Sequence, residues 1–208
     1  MLTAGQKIYL PAKRFFDIVF SLLALVVFSP LYILIALLGK LRSIGPVFFK
    51  QDRIGEDKKV FKILKFRTMR SDTDPNTPTH MLENPEAHMT KTGKLLRKTS
   101  LDEIPQAFNI LADHMSIIGP RHALWNQDDL IKARDRYGAN SIRPGLSGWA
   151  QRNGRDENAI KSKAKLDGEY VRRISHCRTF KSYCCPELMA LLAKERRKGQ
   201  SHVRADIE

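Results

Sequence analysis

The chain predicts a mixed α/β fold, mainly helical, with an N-terminal re-entrant membrane helix-break-helix followed by one compact cytoplasmic domain containing a short β-hairpin. Three observations predict it. Residues 18–39 form a run of 22 without a charge, broken by Ser29-Pro30. Residues 47–67 alternate apolar and polar side chains around Ile54-Gly55-Glu56-Asp57. Beyond them, helical patterns outnumber strand patterns along the remaining chain.

The uncharged run comes first. A straight helix of that length reaches about 33 Å, enough for a bilayer core. Pro30 removes a backbone donor and crowds the preceding turn, so a kink is expected at Ser29-Pro30. In lipid the freed carbonyl needs a local partner, and the Ser29 hydroxyl is one candidate. Basic residues lie on both sides: Lys7, Lys13 and Arg14 before, Lys40, Arg42, Lys50 and Arg53 after. A spanning helix concentrates its basic excess on one side, so the pattern favours a hairpin that dips into one leaflet and returns. The alternative is an anchor that crosses once. No small-residue cleavage pattern follows the run, which argues against a secretory signal peptide. The expected division is residues 1–42 for the basic segment and hairpin, and 43–208 for the cytoplasmic domain.

Val47-Phe48-Phe49 and the stretch from Lys59 to Arg67 read as two strands joined by the Gly55 turn. From Ser71 to Thr90, Asp-Pro, Thr-Pro and Asn-Pro steps mark a surface loop. Helices are expected near Thr92 to Lys98 and from Ser100 to Leu111. Ile117 to Arg121 reads as a short strand entering a turn, and Trp125 to Tyr137 as a solvated helix. Arg143 to Trp149 is turn-rich. A helix near Ala159 to Arg172 and an apolar-basic stretch from Pro186 to Lys198 complete the pattern.

Net charge is +14, from 36 Lys and Arg against 22 Asp and Glu, so anionic partners are expected. Nucleic acid is excluded as the favoured partner, because no basic-aromatic pattern or helix-turn-helix signal is present. The membrane run favours acidic headgroups and phosphorylated substrates. Cys177, Cys184 and Cys185 are an odd set with an adjacent pair, which fits a reducing compartment. Their spacing with His176 matches no common zinc site, and small buried thiols are the simpler reading.

Chemistry points to Ser100-Leu101-Asp102-Glu103-Ile104-Pro105-Gln106. Its structural reading is a capping box, Ser100 with Glu103, in which the carboxylates offset the helix dipole. Asp102 as the cap is a variant of that reading. Other residues favour function: Arg97 and Lys98 lie upstream, Arg121 follows a Gly-Pro turn, and Arg143 precedes a Pro-Gly turn. Each arginine alone is commonly a surface residue. Together they suit phosphate, which guanidinium binds bidentately. Paired carboxylates with convergent arginines are what phosphoryl transfer to a carboxylate requires, one acid attacking while its neighbour holds a metal.

Six motifs recur in one order: Lys13-Arg14-Phe15-Phe16-Asp17, Phe28-Ser29-Pro30, Lys65-Phe66-Arg67-Thr68-Met69, the segment from Ser100 to Gln106, Gly119-Pro120-Arg121, and the run from Arg143 to Gln151. Between Lys13 and Arg173 the chain resembles the bacterial sugar transferases, the monotopic polyprenyl-phosphate phosphoglycosyl transferases, in their minimal catalytic form. The resemblance implies a re-entrant helix broken at Ser29 and Pro30. It also implies transfer of a phospho-sugar from a nucleotide diphosphate sugar, usually a UDP-sugar, to undecaprenyl phosphate with release of UMP. By resemblance Asp102 is the nucleophile and forms an aspartyl phospho-sugar, and Glu103 holds Mg²⁺. Arg97 and Arg121 contact phosphates, with Arg143 and Asp167 as further contributors. Lys65 and Arg67 are expected either to line the site or to face lipid headgroups, the second being the favoured reading. The implied location is the cytoplasmic face of the bacterial inner membrane, where the enzyme begins a lipid-linked glycan of exopolysaccharide, capsule or O-antigen type. A homo-oligomer is left open.

The chain departs from the family pattern at three places. His122 stands where proline is commonest, Ser147 where threonine is commoner, and Ser175 to Lys181 replaces an aromatic-rich run. The rival reading is a non-catalytic, membrane-anchored basic scaffold that recruits glycan-assembly enzymes. Such a scaffold has no use for Asp102 and Glu103 together. The sugar itself is not legible from the sequence.

Overall fold

The computed structural model describes residues 4–42, 45–69, 88–148, 150 and 160–174. The expectations for the proline-containing loop at 71–87, for Cys177, Cys184 and Cys185, and for the stretch at 186–198 lie outside those residues.

The uncharged run folds as two helices, α1 (Ala4–Val27) and α2 (Ser29–Arg42), bent by 61°. Pro30 has no N–H to offer the Val26 carbonyl, and Ser29 Oγ donates to that carbonyl instead, at 2.8 Å. Backbone bonds close on either side, Phe28 N to Ala24 O and Tyr32 N to Phe28 O, each 2.9 Å. Among the described residues no single helix is long and apolar enough to cross a membrane; the bent pair together meets that length and composition. Both arms carry an exposed apolar face, with Phe20, Leu23 and Val27 on α1 and Ile33, Leu34 and Leu37 on α2. Pro30→Ala restores the missing donor and removes a cost of about 3 kcal/mol in a continuous helix. Spin labels at Leu23 and Leu37 are then expected to move apart as the bend opens, and an unchanged distance would contradict proline as its cause.

Strands β1 (Phe48–Ile54) and β2 (Val60–Phe66) form the expected hairpin, antiparallel from Ile54 opposite Val60 to Phe48 opposite Phe66. Its turn runs through a 3-10 segment (Glu56–Lys58) with Asp57 and Lys58 at positive φ. Helix α3 (Lys91–Thr99) follows, opened by Thr90, whose hydroxyl accepts from Gly93 N. The helix expected from Ser100 to Leu111 is divided into a 3-10 turn (Leu101–Glu103) and α4 (Gln106–Leu111). Ser100 causes the division: at φ 58 it is left-handed and caps the end of α3. The capping box therefore does not form, because the Ser100 side chain makes no cap bond and Pro105 stands at the N-cap of α4.

Strand β3 (Ser116–Ile118) leads to a turn as expected, and β4 (Ala123–Leu124) then pairs with β1, giving the order β2-β1-β4. The turn-rich stretch contains β5 (Gly145–Ser147), which pairs in parallel with β3. That pairing is absent from the sequence reading. Helices α5 (Asp128–Asp135) and α6 (Ile160–Arg173) match the expected positions.

Three apolar clusters hold these elements together. Phe61, Ile63, Ile110 and Met115 join β2 to α4, and Ile142, Tyr170, Val171 and Ile174 join α6 to the segment before β5. The third matters most for function: Ile35 of α2 packs with Phe66 of β2 and Leu96 of α3, with Leu31, Tyr32 and Leu101 at its margin. Tyr32 Oη also donates to the Ile104 carbonyl at 2.6 Å. The second arm of the bent pair thus supports the turn carrying Asp102.

The first arm is fixed by the charges of its N-terminal half. Asp17 is buried, accepts from Ser116 Oγ at 2.6 Å and Ile117 N at 3.1 Å, and pairs with Lys13 at 3.1 Å. Arg14 donates to the Ile110 and Leu111 carbonyls and pairs with Asp113 at 2.8 Å. Lys13 and Arg14 were expected as flanking charges; the structure uses them to clamp α1 to the α4–β3 corner.

Candidate functional site

Asp102 sits in the 3-10 turn between α3 and α4 and is 8% exposed. Glu103 follows it, with Oε1 2.7 Å from Lys65 Nζ on β2. Asn109 of α4 holds β2 in place, donating to the Lys62 carbonyl and accepting from Leu64 N, each at 2.8 Å. Lys65 is thereby aimed at the acidic turn. The expectation that it faces headgroups is corrected: its ammonium is bonded to Glu103.

Arg97 lies on the last turn of α3, and its Nε donates to Thr68 Oγ1 at 3.0 Å. Thr68 is itself positioned by α3: its carbonyl accepts from Thr90 N at 3.1 Å, and a Cβ added at Gly93 would lie 2.0 Å from that oxygen. Burial lowers the Arg97 pKa, and the charges of Asp102 and Glu103 oppose the shift. Burial raises the Asp102 pKa from its ordinary value. Lys65 opposes that rise, Glu103 adds to it, and Arg97 and a backbone hydrogen bond pull it down.

A second group of cations lies on β1 and in the turn after β3. Arg53 is pushed down to about 10 by burial and by Arg121, while Glu103 opposes the shift. Its Nη2 donates to Gln51 Oε1 at 2.6 Å. Arg121 is placed by the β3–β5 pairing, since it bridges Gly145 across the crossover. That approach demands glycine: a Cβ at Gly145 would lie 2.1 Å from Gly119 N and 2.4 Å from Ser147 O. Gly145→Ala is expected to destabilise the fold by about 1–3 kcal/mol or more. It should also weaken anion binding at Arg121, measured by denaturant melts and by pyrophosphate titration.

The structure brings Asp102, Glu103, Arg97 and Lys65 into one electrostatic neighbourhood; Arg53 joins it through Glu103, and Arg121 acts on Arg53. The other two expected phosphate contacts have different partners. Arg143 pairs with Asp113 at 2.8 Å and with Glu56 at 3.6 Å. Asp167 of α6 is fully buried and pairs with Arg134 of α5 at 2.6 Å. Burial raises its pKa, and Arg134 holds it down.

Three residues escaped the sequence reading as site components. Arg53 was counted with the charges flanking the apolar run; its position two residues beyond Gln51, on the same strand face, was the available signal. Gln106 is 0% exposed, and among the described residues neither amide atom has a partner. His122 is 6% exposed with Nδ1 unpartnered, and was noted only as a departure.

The donor set next to Asp102 is anionic oxygen. Among the described residues no group of three or more His, Cys, Asp or Glu is assembled to hold a metal ion. A site of that kind fits Mg²⁺, which takes one or two carboxylates and completes its shell with phosphate oxygens and water. A buried carboxylate in the field of Lys65 and Arg97 can attack an electrophile whose negative charge nearby cations balance.

A family model described as "Bacterial sugar transferase" matches residues 8–184. The chain is 41% identical over 170 residues to "UDP-glucose:undecaprenyl-phosphate glucose-1-phosphate transferase" of Escherichia coli (strain K12), covering 78% of this chain and 36% of that protein. It is 41% identical over 150 residues to "Exopolysaccharide production protein PSS" of Rhizobium leguminosarum bv. phaseoli, covering 68% of this chain and 74% of that protein. To "Uncharacterized sugar transferase EpsL" of Bacillus subtilis (strain 168) it is 35% identical over 194 residues, covering 93% and 94%. The chain thus spans about a third of the length of the first of these relatives and nearly all of the last.

Proposed function

The chain belongs to the bacterial sugar transferase family, and from that premise we propose that it moves a phospho-sugar from a UDP-sugar to undecaprenyl phosphate. One observation carries this reading: Asp102 is buried beside Glu103, in the field of Lys65 and Arg97, on a turn supported by the apolar helix pair.

In the first half-reaction an Asp102 carboxylate oxygen attacks the β-phosphorus of the donor. The bond from that phosphorus to the bridging oxygen breaks, UMP leaves with the electron pair, and the sugar phosphate remains on Asp102. In the second, a phosphate oxygen of undecaprenyl phosphate attacks the same phosphorus. The bond to Asp102 breaks, the carboxylate is regenerated, and undecaprenyl diphospho-sugar departs. Both steps bring an anion to an anion, so the work of Arg97, Lys65, Arg53 and Arg121 is to offset that repulsion. Bound Mg²⁺, held by Glu103, would neutralise further phosphate charge.

The exposed apolar faces of α1 and α2 lie in one leaflet of the bacterial inner membrane, with both ends of the pair on the cytoplasmic side. Tyr32 and Ile35 then set the depth of the Asp102 turn relative to a lipid phosphate that cannot leave the bilayer. Products of this reaction begin lipid-linked glycans of exopolysaccharide, capsule or O-antigen type. Purified protein in detergent, given Mg²⁺, undecaprenyl phosphate and a panel of UDP-sugars, is expected to release UMP with at least one donor. A folded protein silent across the panel would contradict the reading.

A further inference from the structure

His122 begins the segment that enters β4, next to Ala123, which pairs with Ile54 of β1. Its ring is buried, and among the described residues Nδ1 has no hydrogen-bond partner. A buried polar atom left unpaired costs on the order of 1–3 kcal/mol and calls for an explanation. Burial, and then the charges of Arg53, Arg121 and Lys65, all cationic, push its pKa well down and hold it neutral at physiological pH, against a backbone hydrogen bond that favours the charged form. Those side chains are donors only. The group that three cations attract is an oxyanion, and toward an oxyanion a neutral imidazole donates.

We propose that His122 Nδ1–H is a substrate-binding group that donates a hydrogen bond to a phosphoryl oxygen held by Arg53, Arg121 and Lys65. The inference rests on the phosphoglycosyl transferase reading and extends it to a residue standing where the resembled family commonly carries proline, a side chain that can donate no such bond. A neutral donor orients the oxyanion without adding a fourth fixed charge that would retain the nucleotide product. The oxyanion has two sources, the donor diphosphate and the acceptor phosphate monoester. A double-displacement enzyme separates them, because kcat/KM for each substrate reports its own half-reaction.

The test compares wild type with His122→Phe, which keeps a buried ring, and His122→Asn, whose Nδ2 can occupy the place of Nδ1. Loss of a hydrogen bond to a charged group is expected to lower kcat/KM by about tenfold to a hundredfold in His122→Phe, on the donor side or on the acceptor side. His122→Asn is expected to recover most of it, while His122→Phe, which removes the unpaired atom, should melt no lower than wild type. Unchanged kcat/KM for both substrates in His122→Phe would overturn the proposal, as would equal losses in His122→Phe and His122→Asn. If His122→Phe does not fold, wild-type protein with ¹⁵N-labelled histidine supplies the test. Inorganic pyrophosphate, but not chloride at equal ionic strength, should shift the His122 Nδ1 resonance, and no shift at saturating pyrophosphate would overturn the proposal. Wild type failing to transfer at all would instead count against the proposed function.

Discussion

Asp102→Asn is expected to reduce UMP release by on the order of 10⁴-fold or more while leaving the protein folded and lipid-associated. The amide has the shape of the carboxylate but carries no charge and is a poor nucleophile. Stability gives an independent check. A carboxyl whose folded pKa is raised stabilises the fold fully below its unfolded pKa, and that contribution is lost as pH rises through the folded pKa. At neutral pH the ionised Asp102 is therefore a net cost to the substrate-free protein, so Asp102→Asn should melt no lower than wild type. A variant that loses activity together with its Tm would indicate a structural role for Asp102.

The second large effect is expected at Arg134. Its Nε and Nη2 both bond Asp167 Oδ2, at 2.8 and 2.6 Å, and both side chains are buried. Among the described residues Asp167 Oδ1 has no hydrogen-bond partner, so the carboxylate depends chiefly on Arg134, with a smaller contribution from the charge of Lys163. Removing one member of a buried pair leaves the other uncompensated and costs about 3–5 kcal/mol. For a chain of this size Arg134→Met should lower Tm by about 6–20 °C. The double variant Arg134→Met/Asp167→Leu should recover much of that loss. Activity assayed below the new Tm separates two roles for Asp167: retained kcat/KM in the double variant makes it a tie between α5 and α6, whereas collapse at unchanged Tm makes it a phosphate-site residue.

How much was legible follows from where the physics is local. The bend was, because Pro30 deprives one particular carbonyl and Ser29 is the adjacent donor. The hairpin was legible from alternation, and α3, α5 and α6 from their periodicity. The β3–β5 pair was not, since each strand is three residues long and the pairing depends on two glycine backbones meeting across a crossover. The capping box failed because its hydroxyl residue, Ser100, serves instead as the left-handed end of α3. Asp102 and Glu103 stood out because adjacent acids lay beside turn arginines, and the roles expected of them came from the family resemblance. Arg53 was missed because a positive charge near an apolar run invites a topological explanation. Helix α5 read as a solvated helix, so its one buried charge, Arg134, and with it the partner of Asp167, stayed hidden until α6 packed on it.

The central claim is a covalent phospho-sugar on Asp102, and intact-protein mass spectrometry tests it most directly. Wild-type protein with Mg²⁺ and its UDP-sugar, but no acceptor, should gain the mass of one sugar phosphate and release an equivalent of UMP. The added mass should map to the peptide containing Asp102 and vanish in Asp102→Asn. UMP released only when undecaprenyl phosphate is present, from protein of unchanged mass, would mean direct transfer and would contradict the account.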